Sequence, residues 1–472
     1  MEKLEALYSS FAGMKPSVVV PLGPSGSHRS YYRLTGPEGS VIGVVGTDVD
    51  ENTAFVTISR HFLSKGISVP EVLAVSDDGL RYLQEDLGDE MLYDFLSQAR
   101  ESGCYGPRER ELLLKVISSL PKIQCEGAEG LDFSVCYPSE SFGERMVSFD
   151  LNYFKYCYLK TSGVEFNEER LQDDFDRLQE DLLGAGGDYA FMYRDFQARN
   201  VMLVDGGPAF IDFQGGRRGP LQYDLASFVW QARARYPQDL KDAMVDAYLD
   251  ALEPYRRVDR AAFKEVLRIF VLFRTLQVLG AYGYRGRIEK RPHFLESIPY
   301  ALDNLRDLLQ RPFEQYPYLS QVLSELVQTG PGIPAQDIEG LVVTVYSFSF
   351  RKGIPEDWSG NGGGYVFDCR GVRNPGRYER FRHLTGLDAP VQEFLEENGE
   401  ITVFLAHAFE MVDAHAKRFV ERGFNRMQVS FGCTGGQHRS AYSAQKTAEH
   451  LAAIPGVRVH LIHRELGIES WL

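Results

Sequence analysis

The chain contains 472 residues, of which 44% are hydrophobic and 25% are charged. This composition excludes a disordered or fibrous chain, and the length exceeds that of one ordinary domain, so two or three domains are expected. The formal net charge of -15 argues against broad binding to nucleic acid or to anionic membrane, so an anionic ligand requires a local basic pocket.

The first residues carry no recognisable targeting pattern. Residues 1–10 include two Glu and no basic apolar stretch. The longest apolar region, 266–284, is interrupted by Arg268 and Arg274, so no membrane span is predicted. The six cysteines are dispersed without a CxxC pair, which argues against a disulfide scaffold or a structural zinc site. We therefore expect a cytoplasmic protein.

Residues 10–85 predict a small strand-rich lobe. Short apolar runs separated by Gly, Pro and Asp are typical of strands, and they lie at 17–22, 31–34, 41–45, 72–75 and 80–84. A helical pattern at 53–63 interrupts them. From Met91 onward, apolar residues recur three and four positions apart, which predicts a helical lobe. We expect the small lobe at about 1–88 and the helical lobe at about 89–328.

Two Asp and one Asn stand at fixed offsets in the helical lobe. Asp195 and Asn200 share one segment, and Asp212 lies between apolar residues that predict a strand. Phosphoryl transfer from ATP requires a carboxylate that orients the acceptor hydroxyl, and hard oxygen ligands that hold magnesium on the phosphates. A D-x-x-x-x-N loop followed by an apolar-Asp-apolar strand is the kinase catalytic arrangement. The alternative is a turn Asp and a capping Asn.

With these residues, about 10–315 of the sequence resemble the aminoglycoside phosphotransferase family of kinase-like folds. The segments 211–214, 218–225 and 279–299 are similar to the bacterial anomeric N-acetylmuramate/N-acetylglucosamine kinases of that family. The resemblance implies an α+β kinase-like fold of two lobes. It also implies that Asp195 is the catalytic base, that Asn200 and Asp212 bind magnesium, and that ATP is the donor, with GTP left open.

Four residues are candidates for contacts with the nucleotide. Ser27 and Arg29 lie in the segment 23–30, whose glycines permit close backbone approach to phosphate and whose arginine adds charge. A plain surface hairpin is the alternative for this segment. Glu85 and Leu87 stand where the resembled kinases place the hinge whose backbone binds adenine.

Two positions depart from the family pattern. Tyr193 stands where the family usually has His in H-x-D, which puts the rate in doubt rather than the type of reaction. The strand at 41–45 contains no lysine of the kind that kinases direct at the phosphates. Either Arg29 substitutes for that lysine, or the activity is weak, and a pseudokinase remains an alternative.

A separate α/β domain is predicted at 341–472. Two Gly and two Pro within 329–334 indicate a linker, which we place at 329–340. Beyond it, patterns at 341–350, 365–368 and 427–431 predict strands, and 440–451 predicts a helix.

The segment 427–440 predicts a strand, a Gly-rich turn and the start of a helix. Backbone N–H groups at such a turn, with the helix dipole behind them, form an anion site. His438 and Arg439 add donors and positive charge, but no Lys follows the second Gly, so this is not a nucleotide P-loop. A structural turn is one alternative. Another is a cysteine phosphatase, because Cys433 and Arg439 have C-x5-R spacing, although no general-acid Asp is identifiable.

Residues of about 340–466 resemble the C-terminal domain of the RNase adapter RapZ. The similar segments are 350–355, 366–375, 384–388, 432–440 and 463–464. That domain binds an amino-sugar phosphate, so the resemblance implies a phosphate cradle; its residues would be Thr434, Gly435, Gly436, His438, Arg439 and Ser440, with Arg370 and Asn374 nearby. RNA binding is not expected, because the domain is nearly neutral and its end has no basic cluster.

The sequence therefore predicts an ATP- and magnesium-dependent sugar kinase. Its acceptor would be the anomeric hydroxyl of N-acetylglucosamine or N-acetylmuramate, in cell-wall sugar recycling, and the C-terminal domain would sense an amino-sugar phosphate. The alternatives are a non-catalytic pseudokinase regulator that binds a protein or RNA partner, and a C-terminal phosphatase. The oligomeric state, including a homo-oligomer, is left open.

Overall fold

The computed structural model describes residues 1–23, 29–184, 189–289, 291–329, 340–355, 357 and 364–472. Ser27 lies outside these ranges, as does most of the linker predicted at 329–340. The described chain groups into two compact units. The first consists of Met1–Cys157, Phe166–Ala281 and Tyr300–Gln328, and the second of Tyr158–Glu165, Tyr282–Pro299 and Thr329–Leu472.

A five-stranded antiparallel sheet begins the first unit. Its strands, in the spatial order β1-β2-β3-β5-β4, are β1 (Val18–Pro21), β2 (Ser30–Gly36), β3 (Gly39–Val45), β4 (Val72–Val75) and β5 (Arg81–Glu85). Helix α1 (Glu2–Ala12) buries Leu4 and Tyr8 against Leu34 and Leu83 of the sheet. Helix α2 (Val49–Ser64) begins at Asp48, whose carboxylate accepts the N–H groups of Asp50 and Glu51.

Helices make up most of the chain that follows this sheet. They are α3 (Leu92–Phe95), α4 (Ser97–Ser102), α5 (Pro107–Cys125), α6 (Glu144–Cys157), α7 (Glu168–Gly184), α8 (Leu221–Val229), α9 (Gln238–Leu252), α10 (Arg260–Tyr282), α11 (Pro292–Leu295), α12 (Ile298–Leu308) and α13 (Pro317–Thr329). One helix of the described chain, α10 with its continuation to Ile288, is long and apolar enough by composition to cross a membrane. Ten residues of α10 itself, among them Phe270 and Leu276, are buried in the protein core, as in a core helix.

Two short two-stranded sheets flank the residues Asp195, Asn200 and Asp212 in the first unit's helical part. Strand β6 (Ala190–Met192) pairs antiparallel with β9 (Arg217–Gly219), and β7 (Val201–Val204) pairs antiparallel with β8 (Gly207–Phe210). Asp195 and Asn200 lie between β6 and β7, and Asp212 lies between β8 and β9. The strand predicted through Asp212 ends at Phe210, because Asp212 has a positive φ of 67° that a strand does not accommodate.

The second unit contains a mixed sheet in the order β11-β12-β10-β13-β14. Its strands are β10 (Leu341–Ser349), β11 (Tyr365–Asp368), β12 (Arg426–Cys433), β13 (Val457–His463) and β14 (Ile468–Trp471), of which only β14 is antiparallel to its neighbour. Helices α14 (Ala389–Glu396), α15 (Glu400–Glu421) and α16 (Arg439–Ala452) contribute to its core. Helix α16 starts six residues after β12 ends, so the Gly-rich segment joins the two directly.

Candidate functional site

The Asp195 carboxylate differs from the other acids of the site because it has no hydrogen-bond partner among the described residues. Asp195 is half-buried, and within the described ranges its carboxylate oxygens have no hydrogen-bond partner. The Asn200 amide Nδ2 donates to the Asp195 backbone carbonyl over 2.8 Å and to the Asp212 Oδ2 over 3.3 Å. The network therefore fixes the backbone around Asp195 while it leaves the carboxylate available to a hydroxyl group.

Asp212 is a half-buried acid in a strained conformation. Its φ of 67° lies in the left-handed region, which Asp tolerates better than most residues. Burial raises the pKa of Asp212; the Gln214 hydrogen bond and the positive charges of Arg29 and Arg199 oppose this rise, whereas the Asp195 charge adds to it. Strain and buried charge of this kind concentrate at functional sites.

The oxygen atoms around Asp212 fit the coordination of a divalent cation such as magnesium. Gln214 donates its Nε2 to Asp212 Oδ1 over 2.8 Å, while its own Oε1 is buried without a partner. The Asn200 amide directs its nitrogen at Asp195 and Asp212, so its oxygen is available as a ligand. No group of three or more His, Cys, Asp or Glu side chains that could hold a metal ion by themselves occurs in the described chain. Magnesium in phosphoryl transfer sites needs only one or two carboxylates, because substrate phosphates complete its shell.

Asp224 holds the backbone that precedes Asp195. This residue of α8 is fully buried, and its carboxylate accepts the backbone N–H groups of Tyr193 (2.7 Å) and Arg194 (2.8 Å) and the Gln124 Nε2 (3.2 Å). Burial raises the pKa of Asp224 to about 7, against the lowering effect of those three hydrogen bonds. The sequence analysis missed this role.

Tyr193 joins the Asp195 loop to the Asp212 segment. Its ring is fully buried, and its hydroxyl donates to the carbonyl of Ile211, the residue before Asp212. The tyrosine in the position of the family's histidine therefore has a supporting role in this chain, since it ties the Asp195 loop to the Asp212 segment.

Arg29 contacts helix α2. It is 4% exposed, and its Nη2 forms an ion pair with Glu51 Oε1 (3.3 Å) and donates to the Glu51 carbonyl (3.0 Å). The same helix carries Phe55, which stacks on Phe213 with ring centroids 4.8 Å apart. Helix α2 therefore contacts both the arginine and the residue that follows Asp212.

The predicted hinge begins at Glu85, the last residue of β5, and includes Leu87. Glu85 is exposed, and its backbone N–H donates to the Glu71 carbonyl. Leu87 is half-buried, and its backbone N–H has no partner in the part of the chain that the structure describes. Asp86 fixes the turn between them through hydrogen bonds from Arg33, Ser40 and the Gly88 N–H. The free N–H of Leu87 is the group that an adenine ring would need.

A cavity of about 240 Å³ lies at the predicted anion site of the second unit. It is lined by Asn374, Gly376, Arg382, Cys433, Thr434, Gly435, Gln437, His438 and Arg439. The structure thus brings together five of the predicted residues, and it adds Arg382 and Gln437, which the sequence analysis missed. Arg382 is exposed, with an ion pair to Glu379 that is itself exposed, so its guanidinium is free to turn toward an anion.

Three predicted residues do not line this cavity. Arg370 forms an ion pair with Asp368 and lies over the Phe350 ring, with its guanidinium carbon 4.1 Å from the centroid. The Gly436 N–H donates to Cys433 Sγ (3.2 Å), and the Ser440 hydroxyl lies 3.1 Å from the same sulfur. Gly436 and Ser440 therefore support Cys433.

Two residues that line the cavity, Arg439 and Cys433, also form hydrogen bonds within the protein. The Arg439 Nη1 donates to the carbonyls of Arg370 (3.0 Å) and Val372 (2.8 Å), so much of its donor capacity serves the backbone. Burial raises the pKa of Cys433, but the hydrogen bonds from Ser440 and Gly436 and the Arg439 charge outweigh it, so the pKa is lowered overall. A lowered thiol pKa, together with the C-x5-R spacing, is a feature that favours phosphatase chemistry.

Two family models match the chain. The phosphotransferase enzyme family matches residues 19–262, which is more than half of the chain, and the RapZ C-terminal domain matches residues 341–467. These matches confirm the kinase-like fold followed by a separate α/β domain, as the sequence analysis predicted.

Curated relatives match part of the chain. A nucleotide-binding protein of Acidithiobacillus ferrooxidans is 39% identical over 140 residues, which are 30% of this chain and 45% of that protein. The chain thus spans less than half the length of this relative. A nucleotide-binding protein of Thermotoga neapolitana is 32% identical over 208 residues, which are 44% of this chain and 68% of that protein.

Solved structures of low identity are also similar. The choline kinase LicA from Streptococcus pneumoniae is 14% identical, with 65% of this chain and 99% of that chain covered and a TM-score of 0.44. A thermostable mutant of the aminoglycoside phosphotransferase APH(4)-Ia in its apo form is 15% identical, with coverage of 70% and 99% and a TM-score of 0.40.

Proposed function

We propose that this chain, which belongs to the phosphotransferase enzyme family and carries a RapZ C-terminal domain, is an ATP- and magnesium-dependent sugar kinase. The acceptor would be the anomeric hydroxyl of N-acetylglucosamine or N-acetylmuramate, in the recycling of cell-wall sugars. The C-terminal domain would bind an amino-sugar phosphate as a sensor. Both family resemblances imply amino-sugar ligands, which supports this substrate class.

The observation that carries the proposal is a difference in hydrogen bonding between the Asp195 carboxylate and the side chains of its neighbours. Asn200, Asp212 and Gln214 are joined by hydrogen bonds, whereas the Asp195 carboxylate is left without a partner among the described residues. Asp195 would accept a hydrogen bond from the hydroxyl of the acceptor and would orient the hydroxyl oxygen for attack on the γ-phosphorus. Asn200 and Asp212 would hold magnesium, which neutralises charge on the phosphates when it is bound.

Acceptor-dependent formation of ADP tests the proposal. Purified protein with MgATP is expected to release ADP faster when N-acetylglucosamine or N-acetylmuramate is added. The pseudokinase alternative predicts that the nucleotide binds and that no sugar stimulates its turnover. The phosphatase alternative predicts that the protein releases phosphate from a sugar phosphate and that Cys433→Ser abolishes the release.

Arg29→Met is expected to weaken phosphoryl transfer by about tenfold to a hundredfold in kcat/KM for ATP, the effect of losing one charged hydrogen bond to phosphate. We expect Glu51→Gln to give part of this loss, because Glu51 forms the ion pair that positions Arg29. Steady-state kinetics at varied MgATP measure both effects. If Arg29→Met keeps the wild-type kcat/KM in a folded protein, Arg29 does not replace the missing lysine.

Arg382→Met is expected to weaken binding of glucosamine 6-phosphate to the cavity of the second unit by about tenfold, because it removes a charged donor to phosphate. Isothermal titration calorimetry measures the affinity. Arg377→Met is the matched control, since Arg377 is an exposed arginine five residues away that does not line the cavity. Equal affinities of wild type and Arg382→Met would contradict a role for Arg382.

A further inference from the structure

Two cysteines of the second unit lie at the ends of neighbouring strands. Asp368, the last residue of β11, pairs with Gly432 in the parallel register of β11 and β12. The next residues along the two strands are Cys369, which directly follows β11, and Cys433, which ends β12. Neighbouring strands lie about 4.8 Å apart, and a disulfide spans Cα separations of about 4.4 to 6.8 Å. The parallel register therefore brings the two cysteines to a separation that a disulfide can bridge.

Both sulfur atoms contact helix α16. The Cys433 Sγ lies 3.1 Å from the Ser440 Oγ, and the Cys369 Sγ donates to the Ser443 Oγ over 3.6 Å. Ser440 and Ser443 are three residues apart on α16, so their side chains lie on the same face of the helix. The two thiols are therefore directed at one turn of the same helix, on the same side of the sheet.

The two thiols differ in their surroundings. Cys433 lines the cavity of about 240 Å³, and its sulfur accepts the Gly436 N–H over 3.2 Å. Burial raises the pKa of Cys433, but the hydrogen bonds to its sulfur and the charge of Arg439 lower it overall. Cys369 is fully buried and does not line the cavity, and burial raises its pKa to about 12. Because the thiolate is the reactive form of cysteine, Cys433 is the thiol that reacts first with an oxidant in the cavity.

We propose that Cys433 and Cys369 are a redox modification site, at which a peroxide that enters the cavity oxidises the two thiols to a disulfide. The Cys433 thiolate attacks one oxygen of hydrogen peroxide, the O–O bond breaks, and a sulfenic acid and hydroxide form. The Cys369 sulfur then attacks the Cys433 sulfur. The S–S bond forms as the S–O bond breaks, and the Cys369 proton leaves with the hydroxyl group as water. The two cysteines together lose two electrons, which the peroxide gains.

The disulfide changes the wall of the cavity. Thr434 and Gly435 directly follow Cys433 and line the cavity with it. A bond to Cys369 draws the Cys433 sulfur away from the Gly436 N–H, which holds the turn in the reduced protein. The oxidised protein should therefore bind an anion at this turn more weakly. This consequence rests on the proposed binding of an amino-sugar phosphate, whereas formation of the disulfide does not.

Peptide mapping of the oxidised full-length protein tests the pair. Trypsin places the two cysteines on separate peptides, 353–370 and 427–439. After treatment with hydrogen peroxide, mass spectrometry without reduction is expected to find these two peptides joined, and dithiothreitol should separate them. In Cys369→Ser, Cys433 should proceed to sulfinic acid, because the resolving thiol is missing. Cys104→Ser removes an exposed cysteine of the first unit, and this matched control should form the disulfide as the wild type does.

Isothermal titration calorimetry with glucosamine 6-phosphate measures the effect on the cavity. The oxidised wild type is expected to bind at least about tenfold more weakly than the reduced protein, because the turn loses hydrogen bonds that shape it. Dithiothreitol should restore the affinity of the reduced protein.

The mapping and the calorimetry overturn different parts of the inference. Peptides 353–370 and 427–439 that stay separate after oxidation, or that join to other cysteines instead, would overturn the pair. Equal affinities of the cross-linked and the reduced protein would overturn the effect on the cavity. If the reduced protein does not bind glucosamine 6-phosphate, the proposed sensor role fails, and the peptide map still decides whether the disulfide forms.

Discussion

Asp195→Ala is expected to lower kcat for phosphoryl transfer by about a thousandfold, because the acceptor hydroxyl loses the carboxylate that orients it and takes its proton. The affinity for MgATP should remain close to that of the wild type, since Asn200 and Asp212 are intact. Single-turnover transfer of radiolabelled phosphate measures the rate, and nucleotide titration measures the affinity.

The matched control for this variant is Asp205→Asn. Asp205 is an exposed acid in the turn between β7 and β8, and its φ of 51° is one that Asn also tolerates. The Asp205→Asn variant should transfer phosphate at the wild-type rate. If folded Asp195→Ala keeps more than about a tenth of the wild-type kcat, then another group acts as the base.

Asp224→Ala is expected to destabilise the first unit by roughly 3 kcal/mol, because two buried backbone N–H groups and the Gln124 amide lose their acceptor. The variant should also lose most of its kinase activity, since those N–H groups belong to the residues just before Asp195. Urea unfolding followed by tryptophan fluorescence measures the change in stability.

Asp224→Asn provides the comparison. Its amide keeps one oxygen that can accept an N–H group, so we expect a smaller loss of stability than for Asp224→Ala. Unchanged urea midpoints for both variants would show that the carboxylate does not hold the loop. A loss of stability without a loss of kcat would show that the loop keeps its geometry without Asp224.

The spacing of Asp195, Asn200 and Asp212 was sufficient to predict that the three residues lie together. They lie in the two segments that join the strand pairs β6–β9 and β7–β8, and the structure links them through the Asn200 amide. The strands of the small lobe were also predictable within a few residues, because Gly and Pro mark their ends. The Gly-rich turn before α16 was predictable for the same reason, since the strand, the turn and the helix follow one another directly.

Long-range contacts explain what the sequence analysis missed. Asp224 lies about thirty residues from the N–H groups that it accepts, and no local pattern distinguishes it from other helical acids. Arg382 reaches the cavity only because the fold brings its loop to the end of β12. Helix α1 has a weak pattern, with two buried residues in eleven, and its position depends on the sheet.

The most direct test of the central claim is the identity of the product. Phosphorus and proton NMR would follow purified protein with MgATP and a panel of N-acetylglucosamine, N-acetylmuramate, glucosamine and kanamycin, with Asp195→Ala beside the wild type. We predict a sugar 1-phosphate from an N-acetylated sugar with the wild type only. No phosphorylated product across the panel, or the same product from Asp195→Ala, would contradict the account.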